Sequence, residues 1–238
     1  MASVRAKWLR HACAVLAALG RGAGVVEHDP LYTAWELEQQ LADCGARLGV
    51  CWDRTAPMID DLRGKTEVEL IFAVDLTTAL PWRKRLALRL PVARARAARA
   101  SMTGPVPPGV LPWERVVTSS GPLDAAYPQQ HPEDVALLQY TGGTTGTPKG
   151  AILTHGNLRA NAAQGRAWMP GLLDGEETVY AVLPLFHAYG LTLCLTFSMS
   201  VGSTLVLMPR FDLDQMLEAI GRRPPTFLPA VPPIYERL

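Results

Sequence analysis

An unbroken apolar run near the start of the chain, from Ala12 to Leu19, follows Arg5, Lys7 and Arg10. The opening reads as an amphipathic helix to about Leu19, followed by a short apolar strand around Val25 and Val26. After the Asp29-Pro30 turn, Thr33 precedes Glu36 by three positions, the pattern of a capping box, so a helix is predicted over 34–44 that ends at Gly45. β-rich runs follow at Leu48–Trp52 and Val68–Asp75. Residues 178–209 contain no Asp, Glu, Lys or Arg, yet Pro184, His187, Gly190 and Gly202 interrupt them. They read as a buried strand, helix and strand in succession, and not as a membrane span. Strands alternating with helices of this length predict an α/β fold with parallel strands.

Composition bounds the function classes. The chain is 48% hydrophobic and 19% charged, and its 20 Gly and 20 Pro in 238 residues fall short of the roughly 25–30% share typical of low-complexity sequence. A globular chain of about one and a half domains is expected. A net charge of +1 leaves no overall electrostatic case for nucleic acid, and no nucleic-acid partner is expected. Cys13, Cys44, Cys51 and Cys194 form no C-x-x-C pair and have no His at zinc-finger spacing, so reduced, buried thiols are expected. The basic, then apolar, opening imitates a secretory leader. Arg21 follows at once and residues 20–24 offer no cleavage pattern, so a cytoplasmic location is expected.

Charge is unevenly placed. Seven basic residues (Arg83, Lys84, Arg85, Arg89, Arg94, Arg96, Arg99) and no acidic one fall within 83–99; the 23 basic residues less these seven leave 16 against 22 acidic. At about 100° per residue, Arg85, Arg89, Arg96 and Arg99 share one helical face and Leu86, Leu90, Ala93 and Ala97 another, with Pro91 expected to kink or split the helix. Such a face is either a solvated surface or a contact for anionic lipid or an acidic partner, and peripheral membrane association through Arg83–Arg99 is one expectation. The chain divides into residues 1–103, a first α/β segment that includes the basic helix; 104–132, a Pro/Gly-rich linker region; and 133–238.

The last segment carries the chemistry. After the apolar run Val135-Ala-Leu-Leu-Gln-Tyr140 comes Thr141-Gly-Gly-Thr-Thr-Gly-Thr-Pro-Lys-Gly150, and then Ala151-Ile-Leu-Thr-His155. A strand, a Gly/Thr-rich loop and a second strand or turn leading into a helix near 157–165 are predicted. Glycines let backbone N–H groups approach a ligand, threonine hydroxyls add donors, and one Lys at the loop's end supplies positive charge, a combination suited to polyphosphate. The loop is not a Walker A sequence, because Lys149 is flanked by Pro148 and Gly150. His28 is expected in a turn and His155 as a cap for the following helix.

Residues 140–150 resemble the phosphate-loop signature of the acyl-adenylate-forming enzymes. Val25-Val-Glu-His-Asp-Pro-Leu-Tyr-Thr33, Leu183-Pro-Leu-Phe-His-Ala-Tyr-Gly190 and Thr226-Phe-Leu-Pro-Ala-Val-Pro-Pro-Ile234 narrow the resemblance to bacterial long-chain fatty-acid–CoA ligases, from about residue 14 onward. The resemblance implies part of the layered α/β N-terminal domain of that fold. It also implies ATP, Mg2+ and CoA as substrates or cofactors, and activation of a fatty acid to acyl-AMP and then acyl-CoA. Carried over by residue, Thr141, Gly142, Gly143, Thr144, Thr145 and Gly146 cradle the β- and γ-phosphates. Thr144 is the expected metal ligand, Lys149 supplies charge, and His187 lies near the reacting carboxylate. Phe186, Tyr189, Val231 and Pro232 are expected acyl walls. Many members have Ser at Gly142, where the backbone still offers a donor. No Tyr-Gly-x-Thr-Glu or later Thr-Gly-Asp segment occurs, so this chain alone is expected to complete neither half-reaction. A non-catalytic ATP or pyrophosphate-binding remnant and a membrane-surface interaction protein are the alternatives.

Overall fold

A computed structural model describes residues 1–4, 9–122, 129–141, 148–208 and 211–238. In chain order these form β1 (Ala2–Val4), α1 (Leu9–Gly20), β2 (Val25–His28), α2 (Ala34–Cys44), β3 (Leu48–Trp52), α3 (Ala56–Asp61) and β4 (Leu70–Val74). Next come α4 (Trp82–Ala87), α5 (Ala93–Met102), β5 (Leu111–Pro112), α6 (Trp113–Ser119), β6 (Val135–Thr141), β7 (Lys149–Thr154) and α7 (His155–Trp168). The chain closes with β8 (Thr178–Ala181), α8 (Phe197–Ser200), β9 (Thr204–Leu207), α9 (Leu213–Arg222) and α10 (Pro232–Tyr235). The chain groups into two compact units: one holds β1 and β2 through α6, the other α1 and β6 through α10.

In the first unit β5, β4, β3, β1 and β2 lie side by side in that order, all parallel. Ala2 registers with Val26 on one side and Gly49 on the other, and Val50 with Phe72. All four residues of β2 are buried, as a parallel strand covered on both faces requires. α2 begins at the capping box: Thr33 accepts from the Glu36 backbone N–H, and Glu36 accepts from Thr33 N at 2.8 Å. It ends at Gly45, whose φ of 59° is left-handed. Leu37 and Leu41, one turn apart, bury against Ile59, Ile71 and Val68.

Several expectations need correction here. The strand expected at 68–75 is the shorter β4. Residues 111–119 form β5 and α6, the former in register with Phe72 and Ala73. His28 ends a strand instead of lying in a turn; it is fully buried, with Nδ1 2.8 Å from Gln40 Oε1. Burial pushes its pKa down to about 4, although the Gln40 hydrogen bond and Glu27 act the other way. Pro91 does split the basic helix, into α4 and α5, so its faces are not continuous. Of the four thiols, all free, Cys51 and Cys194 are buried, Cys44 is half-buried and Cys13 is exposed.

In the second unit β6 and β7 form an antiparallel pair and β8 and β9 a parallel one. α1 buries His11, Ala14, Val15 and Ala18 along one stripe. The uncharged stretch forms β8, a helical segment and β9, as its pattern predicts. Its helix opens with a wide π-type turn over Gly190–Thr196, in which Phe197 N–H reaches back to Thr192 C=O, and then tightens into α8. Phe197 packs edge-on to Phe227, with centroids 5.7 Å apart. No described helix is long and apolar enough to cross a membrane.

Candidate functional site

β6 ends at Thr141 and β7 begins at Lys149, either side of the Gly/Thr-rich stretch, with Tyr140 opposite Gly150 and Thr141 opposite Lys149. The threonine and the lysine are both exposed, so a hydroxyl and an ammonium stand at the paired strand ends. Gly142, Gly143, Thr144, Thr145 and Gly146 lie outside the described residues. The Tyr140 ring covers the backbone of β7: a Cβ added at Gly150 would meet it at 3.3 Å. The far end of β7 is fixed by a second capping box, in which Thr154 accepts from Asn157 N at 3.1 Å and Asn157 Oδ1 accepts from Thr154 N at 2.9 Å. Thr154 is therefore the cap and His155 the first helical residue, a correction to the role expected for His155.

One residue that sequence reasoning passed over ties the site together. Gln139 is buried on β6, and its side-chain amide donates to the Phe186 carbonyl at 3.0 Å. Its own Oε1 is buried with no partner among the described residues. A polar side chain at an inward position of an otherwise apolar strand was the available signal.

The bond brings the Phe186-His-Ala-Tyr-Gly190 segment beside β6. His187 is exposed and its ring lies 4.6 Å, centroid to centroid, from that of Phe186. Gly190 closes this turn. A Cβ there would sit 2.0 Å from the Pro184 carbonyl oxygen, so no other residue fits without moving backbone. Tyr189 donates from its hydroxyl to the Ala230 carbonyl at 3.3 Å, which joins the turn to the Val231-Pro232 start of α10. Burial raises the Tyr189 phenol pKa, with Tyr235 and Cys194 adding to the shift. The four expected acyl-wall residues are thus brought to one neighbourhood, with Tyr189, Val231 and Pro232 exposed and Phe186 half-buried.

A separate cavity of about 560 Å³ has Val15, Leu19, Leu137, Leu191 and Leu195 among its walls, together with His155. His155 Nε2 is buried without a partner among the described residues. None of Phe186, Tyr189, Val231 or Pro232 lines this cavity. Among the described residues no three His, Cys, Asp or Glu side chains gather as a metal centre.

Fold and loop-bearing hairpin together define an α/β protein of the acyl-adenylate-forming class. The family model for AMP-binding enzymes matches residues 5–238, and the chain belongs to that family. It is 34% identical over 215 residues to a long-chain-fatty-acid–CoA ligase of Bacillus subtilis, covering 90% of this chain and 38% of that protein. A long-chain-fatty-acid–CoA ligase of Escherichia coli is 32% identical over 236 residues, covering 97% of this chain and 41% of the relative. Among solved structures, a long-chain-fatty-acid–CoA ligase from Archaeoglobus fulgidus superposes with a TM-score of 0.70 at 28% identity, covering 99% of this chain and 40% of the other. The chain therefore spans about two fifths of the length of these relatives.

Proposed function

We propose that this chain is the polyphosphate-gripping part of an ATP-dependent ligase that converts a long-chain fatty acid to its acyl-CoA. The observation that carries the reading is the neck of the loop, where Thr141 and Lys149 face each other across paired strands. A carboxylate oxygen attacks the α-phosphorus of ATP; that bond forms as the bond from the α-phosphorus to the bridging oxygen breaks, and pyrophosphate leaves with its electrons. The CoA thiol then adds to the acyl carbon, its proton is lost, and AMP departs.

The work of this chain in the first step is electrostatic. Backbone N–H groups and hydroxyls of Thr141 to Gly146 hold the β- and γ-phosphates, and Lys149 offsets the charge that builds on the leaving pyrophosphate. Thr144 is proposed to hold Mg2+, because a hydroxyl is the hard oxygen donor that this ion takes beside phosphate oxygens. When bound, the ion would neutralise phosphate charge. His187 is proposed to act at the acyl side, a reading supported by the Gln139–Phe186 bond that holds its turn beside β6, and the acyl chain is proposed to lie against Phe186, Tyr189, Val231 and Pro232. The apolar walls and volume of the 560 Å³ cavity favour it as a second berth for that chain.

The 238 residues by themselves are proposed to bind ATP or pyrophosphate without completing either half-reaction. Calorimetric titration with pyrophosphate tests the grip: Lys149→Ala is expected to weaken binding about tenfold or more, the worth of one well-placed charge-assisted contact. Equal affinity in both forms overturns the loop assignment. Fatty-acid-dependent ATP–pyrophosphate exchange by the unaltered chain would overturn its proposed incompetence. Binding of a fluorescent fatty acid separates the two berths, since Tyr189→Ala weakens it in one case and Leu195→Trp in the other.

A further inference from the structure

We propose that the α4–α5 segment, residues 82–99, is a docking surface for an anionic membrane. The two helices bury little, although α5 is tied down at its end, where Trp52 Nε1 donates to the Met102 carbonyl at 2.8 Å. α4 buries no residue and α5 buries only Ala95. Large apolar side chains stand out into solvent: Trp82 is 70% exposed, Leu86 57%, Leu90 53% and Val92 51%. A solvated surface helix is expected to present charge there instead, and this one presents charge beside the apolar groups. No acidic residue occurs between Asp75 and Glu114, while seven basic ones occupy 83–99.

The two kinds of side chain are arranged in layers. A shallow groove is lined by Trp82, Leu86, Arg85 and Arg89. Arg85 and Arg89 also line a small, mostly polar cavity of about 80 Å³, together with Arg99, Thr77, Thr78, Asp75 and Leu88. The same two guanidiniums thus border an apolar groove on one side and a polar recess on the other. Asp75, whose Oδ1 accepts from Thr77 N at 2.8 Å and from Thr77 Oγ1 at 2.6 Å, is the one carboxylate in the recess, and three guanidiniums outweigh its charge there. A lipid satisfies both sides at once: its phosphate meets Arg85, Arg89 and Arg99, while Trp82, Leu86, Leu90 and Val92 enter the acyl boundary. The Arg83 guanidinium, 5.3 Å from the Trp82 ring centroid, sits where an interfacial cation over an aromatic ring belongs. Nucleic acid would use the arginines and leave the apolar groups wet, so the exposed Trp82 and Leu86 favour the bilayer.

This inference does not rest on the ligase chemistry. Its test is co-sedimentation of the whole 238-residue chain with phosphatidylcholine vesicles, plain or with about 30% phosphatidylglycerol. Binding to the anionic vesicles is expected to exceed that to neutral ones by about tenfold or more, and to fall as salt rises. Either Arg85→Glu with Arg89→Glu, or Trp82→Ala with Leu86→Ala, is expected to cut binding about tenfold with unchanged far-ultraviolet circular dichroism, since all four side chains are exposed. Both double variants are expected to keep the pyrophosphate affinity of the unaltered chain. Equal binding to neutral and anionic vesicles overturns the proposal. So does indifference to both double variants, or binding to duplex DNA that outcompetes the vesicles and ignores the Trp82 and Leu86 changes. Should a double variant unfold, quenching of Trp82 fluorescence by brominated lipid in the unaltered chain, compared with Trp82→Phe, decides the same question: loss of the quenched signal in Trp82→Phe supports the surface, and an unchanged signal overturns it.

Discussion

The Gln139 side chain donates to the Phe186 carbonyl at 3.0 Å, so the strand that ends at Thr141 also holds the turn that presents His187. Because Gln139 is only 8% exposed, replacing its neutral amide with a carboxylate removes the donor and buries a charge. Gln139→Glu is expected to lower stability by about 1–3 kcal/mol near neutral pH. The introduced acid's pKa is raised in the folded state, which then binds more protons than the unfolded chain above the ordinary glutamate pKa. Stability therefore recovers as pH falls, because the protonated acid can again donate to Phe186. Urea unfolding at about pH 5 and about pH 8 checks the sign, and a variant equally stable at both would dissolve the proposed link.

Gly190→Ala places a methyl group 2.0 Å from the Pro184 carbonyl oxygen. Neither partner is a flexible side chain, so the backbone of the His187 turn has to move. A loss of at least about 1–3 kcal/mol is expected, the range for overpacking a filled interior. Thermal unfolding measures it, and chemical-shift changes concentrated in residues 183–191 would show that the damage is local.

How much of this was legible in the chain depends on the reach of each interaction. The Thr33–Glu36 box, the Gly45 stop, the Pro91 break and the strand before Thr141 all depend on residues within a few positions of one another, and sequence spacing exposes them. The Gln139–Phe186 bond spans 47 positions and leaves only a faint trace, one polar residue on an inward strand position. The π-type turn after Gly190 has no spacing of its own to betray it. The burial of His28 follows from its place at the end of the wholly buried β2, with Gln40 of α2 against its ring, whereas its neighbours Asp29-Pro30 favour a turn. The Gly/Thr/Lys stretch from Thr141 to Gly150 needs no tertiary contact to suggest an anion, since its residue types alone carry that expectation.

Two buried groups in the first unit give opposing pH responses. Asp53 is 3% exposed, and burial, with Asp75 adding, pushes its pKa up to about 6, while backbone N–H groups of Gly104 and Arg54 and the Arg54 charge pull the other way. His28 lies at about 4. Between those values the folded state keeps a proton on Asp53 that the unfolded chain releases, so this term loses stability as pH rises. Over the same window the unfolded chain protonates His28 and the folded state does not, so that term gains stability as pH rises. The two nearly cancel. Asp53→Asn removes one of them and is expected to stabilise the protein by up to about 3 kcal/mol above pH 6, an advantage that shrinks to nothing near pH 4. Denaturant unfolding across that range checks it; a constant advantage at every pH would assign the effect to packing and not to the buried charge.

The cap that fixes the far end of β7 offers a test in both directions. Thr154 and Asn157 bond reciprocally at the start of α7, directly after the strand that begins with Lys149. Thr154→Ala strands the Asn157 N–H and is expected to cost about 1 kcal/mol, as loss of an N-cap side chain usually does. Asn157→Asp keeps an acceptor for Thr154 N and adds a negative charge within the first helical turn, where the peptide dipoles favour it by about 0.3–1 kcal/mol. That gain is expected to shrink with added salt and to disappear below the aspartate pKa, whereas the Thr154→Ala loss is expected to ignore both. Urea titrations at low and high salt separate the two responses. If Asn157→Asp proves destabilising, the reciprocal bonds are not what terminates β7, and the geometry of Lys149 at the loop's neck has to be fixed by the β6 pairing alone.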